Sequence, residues 1–427
     1  MCSIMFPYTH IDIENQFIQL AKKHSYKNSE GKKILRSTNK KPFFTFSPML
    51  DVIDKFTDNS TMQGIYNAQF CLKSIEVYRL LNNPLANNSQ KVLSLFNPYQ
   101  HDISQVFSFC SDFFFDIIGL EKDRIHVLFS EDAPYLQEIL HQNQFFNTTQ
   151  SKSSVLMCKI PNFESKAFYV KFLYSYKNGL VPICNLVLIN QEDRKAMIDS
   201  VFFLERLTFI KEKKHNIYET YLYSNTIKTL KVHLNRVTDE ELCTLAALLR
   251  QITILFYEGL VPNNKNANYV LRKIIREFFN LIIDQVASLN EYTVTLWLRS
   301  ALHDLYIYDP NYFSKPLPDI YNIFYKELET YYSNSQKNLQ LLINTGKLDN
   351  FQGYISYEEF LKIKDTYGLP YQFFKKYCES NGVILKDNPK ELEFKNRTLP
   401  YPYPCKKNKK FSSQAWIANS RFGAKYK

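Results

Sequence analysis

Phe256-Tyr257-Glu258-Gly259-Leu260-Val261-Pro262-Asn263-Asn264, taken up again at Tyr269-Val270-Leu271-Arg272-Lys273-Ile274-Ile275-Arg276, is the stretch on which the fold turns. From 268 to 289 the residues Val270, Leu271, Ile274, Ile275, Phe278, Leu281, Ile282 and Val286 recur at helical spacing, which predicts an amphipathic helix. Arg272 and Arg276 lie one turn apart on it, near Glu277. Two readings stay open for them: a solvated face, or contacts to an RNA backbone.

Working back from that helix, the helical signal begins near Val237. Thr238-Asp239-Glu240-Glu241 reads as a helix start, with Thr238 as N-cap and acids in the first turn. Before about residue 210 the pattern is mixed. Residues 11–24 place Ile13, Phe17, Leu20 and Ala21 on one helical face, and a lysine-rich loop follows from 22 to 41. A strand-like region begins over 43–50. A helix over 103–118 is stopped by Gly119, and a short strand follows at 125–129. Residues 168–174 and 183–189 read as neighbouring strands joined by a Lys177-Asn178-Gly179 turn. The expected fold is therefore α+β: an antiparallel sheet flanked by helices, then an all-α part, with the boundary between 210 and 237.

Forward of the helix, the chain changes once more. Leu399-Pro400-Tyr401-Pro402-Tyr403-Pro404 suits an extended segment. Beyond Glu393 there is no acid, while Lys406, Lys407, Lys409, Lys410, Arg421, Lys425 and Lys427 alternate with Phe411, Trp416, Phe422 and Tyr426. Lysines bind phosphates and aromatics stack on bases, so this is either an RNA-binding arm or a tail without a partner.

Composition narrows the classes. At 427 residues with 45% hydrophobic content, the chain is long enough for two or three domains with real cores. The 53 Lys+Arg against 42 Asp+Glu give a formal +11, which favours a polyanion partner, unless it reflects only a Lys- and Asn-rich codon usage. The eight cysteines show no zinc-finger spacing and read as reduced thiols, so no metal is expected. No signal peptide or membrane-spanning run is evident, which predicts a cytoplasmic protein. Glycines number only ten, and neither GxGxxG nor GxxxxGK[ST] occurs, so a glycine-rich phosphate cradle is excluded.

The opening stretch, together with Asp365-Thr366-Tyr367-Gly368-Leu369-Pro370 about 100 residues on, resembles the signature of the alanyl-tRNA synthetases. Weaker matches lie earlier. Residues 11–26 resemble that family's first helix, and Ser47-Pro48 to Gln69 its first class II motif. Ile183-Cys184-Asn185-Leu186-Val187 resembles its Ile-Trp-Asn-Leu-Val strand. Ile198-Asp199-Ser200-Val201-Phe202-Phe203-Leu204-Glu205-Arg206 sits where the family carries motif 3. The resemblance covers about 10–395 and stops short of the editing and C-terminal domains.

That resemblance implies roles. Arg206, with Glu205, falls on the motif 3 catalytic positions. Asp199 falls where the family receives the substrate ammonium, and Asn185 lies on the neighbouring substrate strand. Asn264 and Asp365 fall where the family reads the wobble pair of the acceptor stem. Bland alternatives stand beside these: a structural Asp199, a buried Glu205–Arg206 ion pair, and Asn264 or Asp365 as helix caps. The motif 2 arginine has no counterpart; its position falls near Leu85, with Arg79 as the nearest substitute. Val201 and Phe203 replace two motif 3 glycines, at points where an adenine would lie.

The expected organisation is a degenerate catalytic domain over 1–215, a helical acceptor-stem domain over 216–395 and a basic aromatic tail over 396–427. The expected function is tRNA acceptor-stem binding by a monomer, with Asn264, Asp365, Arg272, Arg276, Lys406 and Lys407 on the RNA and ATP-dependent activation compromised. An active ligase using ATP with Mg and an amino acid, a tRNA-dependent aminoacyl transferase, and a non-catalytic module are the alternatives.

Overall fold

A computed structural model describes residues 9–386, apart from 30–32, 40, 53–62, 74–76, 100–101, 161–162, 178, 193–194, 284, 318–319, 347 and 349–352. The tail over 396–427, with Lys406 and Lys407, lies outside the described residues.

Helix α1 (Thr9–Lys23) buries Ile13, Phe17, Leu20 and Ala21, the face that its spacing predicts. Phe17 meets Phe109, Phe113 and Phe202 edge-on, each at 5.3 Å, and so ties α1 to a helix and to the sheet. The sheet's strands are β1 (Lys27–Asn28), β2 (Ile65–Leu72), β3 (Ser89–Asn97), β4 (Ile125–Ser130), β5 (Asn147–Ser151), β6 (Met157–Ile160), β7 (Phe163–Tyr176), β8 (Gly179–Glu192) and β9 (Lys195–Phe203). Among the described residues they run in the order β1-β2-β3-β9-β8-β7-β4-β5, with β6 also on β7. β1 and β4 pair in parallel with β2 and β5; the remaining pairs are antiparallel. β7 and β8 form the expected hairpin, with Tyr176 opposite Gly179 and Lys177 at φ 50°.

Between β2 and β3 lies α2 (Val77–Asn82); between β3 and β4, α3 (Ile103–Ser111), which widens into a π-helical turn over Asp112–Ile117 before Gly119 at φ 76°. α4 (Leu136–Gln142) and α5 (Ser153–Leu156) flank β5. The strand expected over 43–50 does not form. Phe44 makes a single bridge to Leu35, and Pro48–Asp51 is a 3-10 turn. Proline has no N–H to give a ladder, and its fixed φ suits the first helical position.

After β9 the chain runs through α6 (Leu204–Lys211), α7 (Ser224–His233), α8 (Asp239–Tyr257), α9 (Asn266–Leu281), α10 (Glu291–Tyr308), α11 (Tyr321–Asn344), α12 (Tyr357–Tyr367) and α13 (Tyr371–Ser380). Two short strands, β10 (Tyr354–Ile355) and β11 (Ile384–Leu385), pair in parallel. Thr238 caps α8 as predicted, in a reciprocal box with Glu241. α9 ends at Leu281, short of the predicted 289. Ile282, Ile283 and Val286 stay buried past the helix end, so apolar spacing could not mark where it stops.

One core runs from Ile13 through the sheet to Leu328 on α11, crossing the expected boundary at 215/216. Leu342, Ile355, Phe360, Ile363, Leu369, Phe374 and Cys378 form a second core around α12 and α13. Lys91 on β3 pairs with Glu14 on α1 (2.7 Å) and Asp309 after α10 (2.8 Å), which joins the sheet to the helical half. Among the described residues no helix is long and apolar enough to cross a membrane.

Candidate functional site

Side chains alternate across a strand, so the register separates the sheet's two faces. Leu93, Leu95, Phe172, Cys184, Leu186 and Phe202 face the helices and are buried. The opposite face carries Asn67 and Gln69 on β2, Ser94 on β3, Asp199, Val201 and Phe203 on β9, Asn185 on β8 and Lys171 on β7. A core needs no such row of polar groups, and burying them is costly unless they are paired.

Asp199 lies between Phe96 and Val187 in the register and is only 4% exposed. Burial pushes its carboxyl up to about 7, against the pull of the Lys73 ammonium. Beside it is a cavity of about 10 Å³ lined by Pro48, Met49, Val52, Asn67 and Ser94. That is room for about one water and for no amino acid. The Asn67 amide donates to Gln69 (3.0 Å), but its carbonyl has no partner among the described residues; nor does that of Asn185. Lys171 faces Asn185 across the ladder, and burial lowers its ammonium to about 8.

Arg206 stands in the first turn of α6. It donates to the carbonyls of Pro182 (2.9 Å) and Leu85 (3.3 Å), and its guanidinium lies 4.2 Å from the centre of the Phe203 ring. Glu205 points away from it, accepting from the Lys91 N–H (3.2 Å) and bonded to the Tyr308 hydroxyl. Burial raises its pKa, and among the described residues no Glu205–Arg206 ion pair forms, so that alternative is corrected. Consecutive residues at a helix start diverge by about 100°, which sends the two side chains to different neighbours.

Sequence reading missed Lys73. It follows β2 directly, is half-buried, and holds its ammonium 5.8 Å from the Phe203 ring, so that it and Arg206 share one aromatic side chain. Burial lowers its pKa, as does Arg206, while Glu205 and Asp199 act the other way. No carboxylate lies within 4.0 Å of it among the described residues. Arg79, the substitute considered from sequence, lies on α2 against its neighbour Tyr78. The available signal was a lone lysine closing an apolar strand.

On the helical side the structure brings Asn264, Arg272 and Arg276 together. The Asn264 carbonyl accepts from Arg272 (2.6 Å). Arg272 and Arg276 both pair with Glu327 on α11, at 2.6 and 3.4 Å. Their partner is therefore Glu327, whereas Glu277 pairs with Lys273 (3.7 Å). Asn264 is exposed and does not cap α9, whose N-cap is Lys265. Asp365 is exposed in the last turn of α12, which Ser356 caps, so it is no N-cap either.

Comparison with known proteins gives the family. The family described as tRNA synthetases class II (A) matches residues 96–399, well over half of the chain. The alanine–tRNA ligase of Buchnera aphidicola subsp. Cinara cedri is 27% identical over 53% of this chain and 27% of its own length. That of Wigglesworthia glossinidia brevipalpis is 24% identical over 63% of this chain and 32% of its own. The chain thus spans about a quarter to a third of the length of these curated relatives. Among solved structures, apo histidyl-tRNA synthetase from S. aureus overlaps 50% of this chain and 70% of its own at 12% identity and a TM-score of 0.35. Asparaginyl-tRNA synthetase from Entamoeba histolytica overlaps 49% of this chain and 64% of its own at 9% identity and a TM-score of 0.32, too loosely for either to carry an argument. The chain belongs to the class II (A) tRNA synthetase family, and alanine–tRNA ligases are among its relatives.

Proposed function

We propose that this chain binds a tRNA acceptor stem as a monomer, through the α8–α9 turn and α12, and that its sheet face activates amino acids with ATP slowly or not at all. The observation that carries the reading is the Asn264–Arg272 pair. Arg272 fixes the Asn264 carbonyl, and the amide N–H groups, exposed and without a partner among the described residues, are left for a base edge. Asp365, also exposed, supplies an acceptor from α12. Arg276 and Lys273 supply sequence-blind charge for the backbone.

On the sheet, Asp199 has the right charge for an α-ammonium, and Lys73 with Arg206 suits phosphate oxygens. The nucleotide itself does not fit. The Phe203 ring lies against both cations, and Arg206 is spent on two carbonyls. In this reading the sheet part to about 215 has lost catalytic power, while the helical part to about 395 keeps recognition.

Two assays on the full chain test this. Fluorescence anisotropy with an acceptor-stem hairpin should show binding that falls steeply with salt, since phosphate contacts release counterions. ATP–pyrophosphate exchange over a panel of amino acids should stay near background. Rapid exchange would establish an active ligase, and an absence of hairpin binding would leave a non-catalytic module.

A further inference from the structure

Pro48, Met49 and Val52 roof the cavity at Asp199, and an amino acid reaches that carboxylate only if the roof lifts. The roof is held from two sides. From the sheet, Gln69 donates to Asp51 (3.1 Å) and is itself bonded to Asn67 in the cavity wall. From outside, Arg36 pairs with Asp51 and donates to the Leu50 carbonyl (3.4 Å). Arg36 belongs to an arm, 33–39, that reaches over to the helical half. There the Ile34 N–H donates to Tyr312 (3.2 Å) and the Leu35 N–H to Glu258 (3.0 Å). At the arm's end, the Asn266 amide donates to the Asn39 carbonyl (3.1 Å) and the Ala267 N–H to the Thr38 carbonyl (3.3 Å).

Asn266 and Ala267 open α9, two and three residues after Asn264. The Asn39–Asn266 bond is exposed, and exposed hydrogen bonds, made in exchange for bonds to water, add little net stability. A ligand that gripped the α8–α9 turn would therefore break them readily, whereas the Arg36–Asp51 pair would hold. Residues 36–39 and the roof would then swing as one piece about Ile34 and Leu35, whose bonds to Tyr312 and Glu258 stay made.

We propose that the arm 33–39 and the roof Pro48–Val52 form a strap. Docking of an RNA stem on the α8–α9 turn releases Asn39 and Thr38, the roof lifts, and Asp199 opens to an amino acid. This rests on the acceptor-stem reading above. It makes Asn39 and Arg36 positioning residues, and by linkage amino-acid binding at Asp199 strengthens stem binding by the same factor.

Amide hydrogen exchange at residues 49–52, read by mass spectrometry on the full chain, tests the strap. Saturation with an acceptor-stem hairpin, followed in parallel by anisotropy, should raise exchange there several-fold. Asn39→Ala should raise it without RNA, and Asn39→Asp, which keeps an acceptor for Asn266, should not. In Arg36→Gln exchange should start high and respond no further to the hairpin. Exchange at 49–52 that is unchanged or lowered in the saturated complex would overturn the strap, as would an unchanged Asn39→Ala variant. A hairpin that fails to bind would defeat the acceptor-stem reading instead, with Asn39→Ala still deciding whether the arm holds the roof.

Discussion

Arg206 donates to the backbone carbonyl of Leu85 across a 3.3 Å bond, so the first turn of α6 is tied to the loop that leads into β3. With Pro182 as its second acceptor, the Arg206 guanidinium is satisfied by two main-chain oxygens and covers the Phe203 ring. Lys73, 5.8 Å from the centre of the same ring, has no carboxylate within 4.0 Å among the described residues.

This arrangement predicts weak ATP binding in the parent, with Kd about 1 mM or weaker, near −4 kcal/mol. Phe203→Ala should tighten it by opening the space between Lys73 and Arg206, at a stability cost of roughly 3–5 kcal/mol. Lys73→Gln in that background should remove the gain. Calorimetry on variants shown to be folded measures this, and micromolar ATP binding by the parent would count against it.

Asp199 should imprint a pH dependence on stability. Its carboxyl ordinarily titrates at 3.8, and in the fold at about 7. Between those values the folded chain binds more protons than the unfolded one, so its contribution is whole below about pH 4 and is lost as pH rises through 7. Relative to the parent, Asp199→Asn should gain up to about 1.4 kcal/mol per pH unit across that window. Urea unfolding at several pH values reads it, and a difference flat from pH 4 to 7 would refute the assignment.

Glu327 holds both Arg272 and Arg276. Glu327→Gln should cost roughly 1–3 kcal/mol of stability, because charge-assisted bonds are lost. It should also free two guanidinium groups, tightening non-specific RNA binding and steepening its salt dependence by about one to two counterions. Weaker RNA binding in a folded Glu327→Gln variant would instead show that the arginines act on RNA only in the geometry Glu327 imposes.

Local chemistry was legible in the sequence wherever one element decided it. The buried face of α1, the Thr238 box on α8 and the β7–β8 hairpin all follow from periodicity and turn residues. Choices made by the neighbours of a segment were not. Ser47-Pro48 looked continuous with an apolar strand, yet proline turned it into the roof of the Asp199 cavity. Arg272 and Arg276 looked answerable to Glu277 in their own helix, but Glu327, about 50 residues on, takes both. Lys73 escaped notice because its place beside Arg206 comes from the pairing of β2, β3 and β9, which no spacing along the chain records.

The central claim, that the helical half reads an acceptor stem, is tested most directly by one ratio: the affinities for two stem hairpins that differ only at the third base pair. A preferred pair should bind the parent about tenfold more tightly or better, since each base-edge contact is worth roughly 1–3 kcal/mol. Asn264→Ala and Asp365→Ala, checked for folding, should each bring the ratio toward one while leaving binding to unrelated RNA unchanged. A ratio near one in the parent, or one that survives both substitutions, would contradict the account.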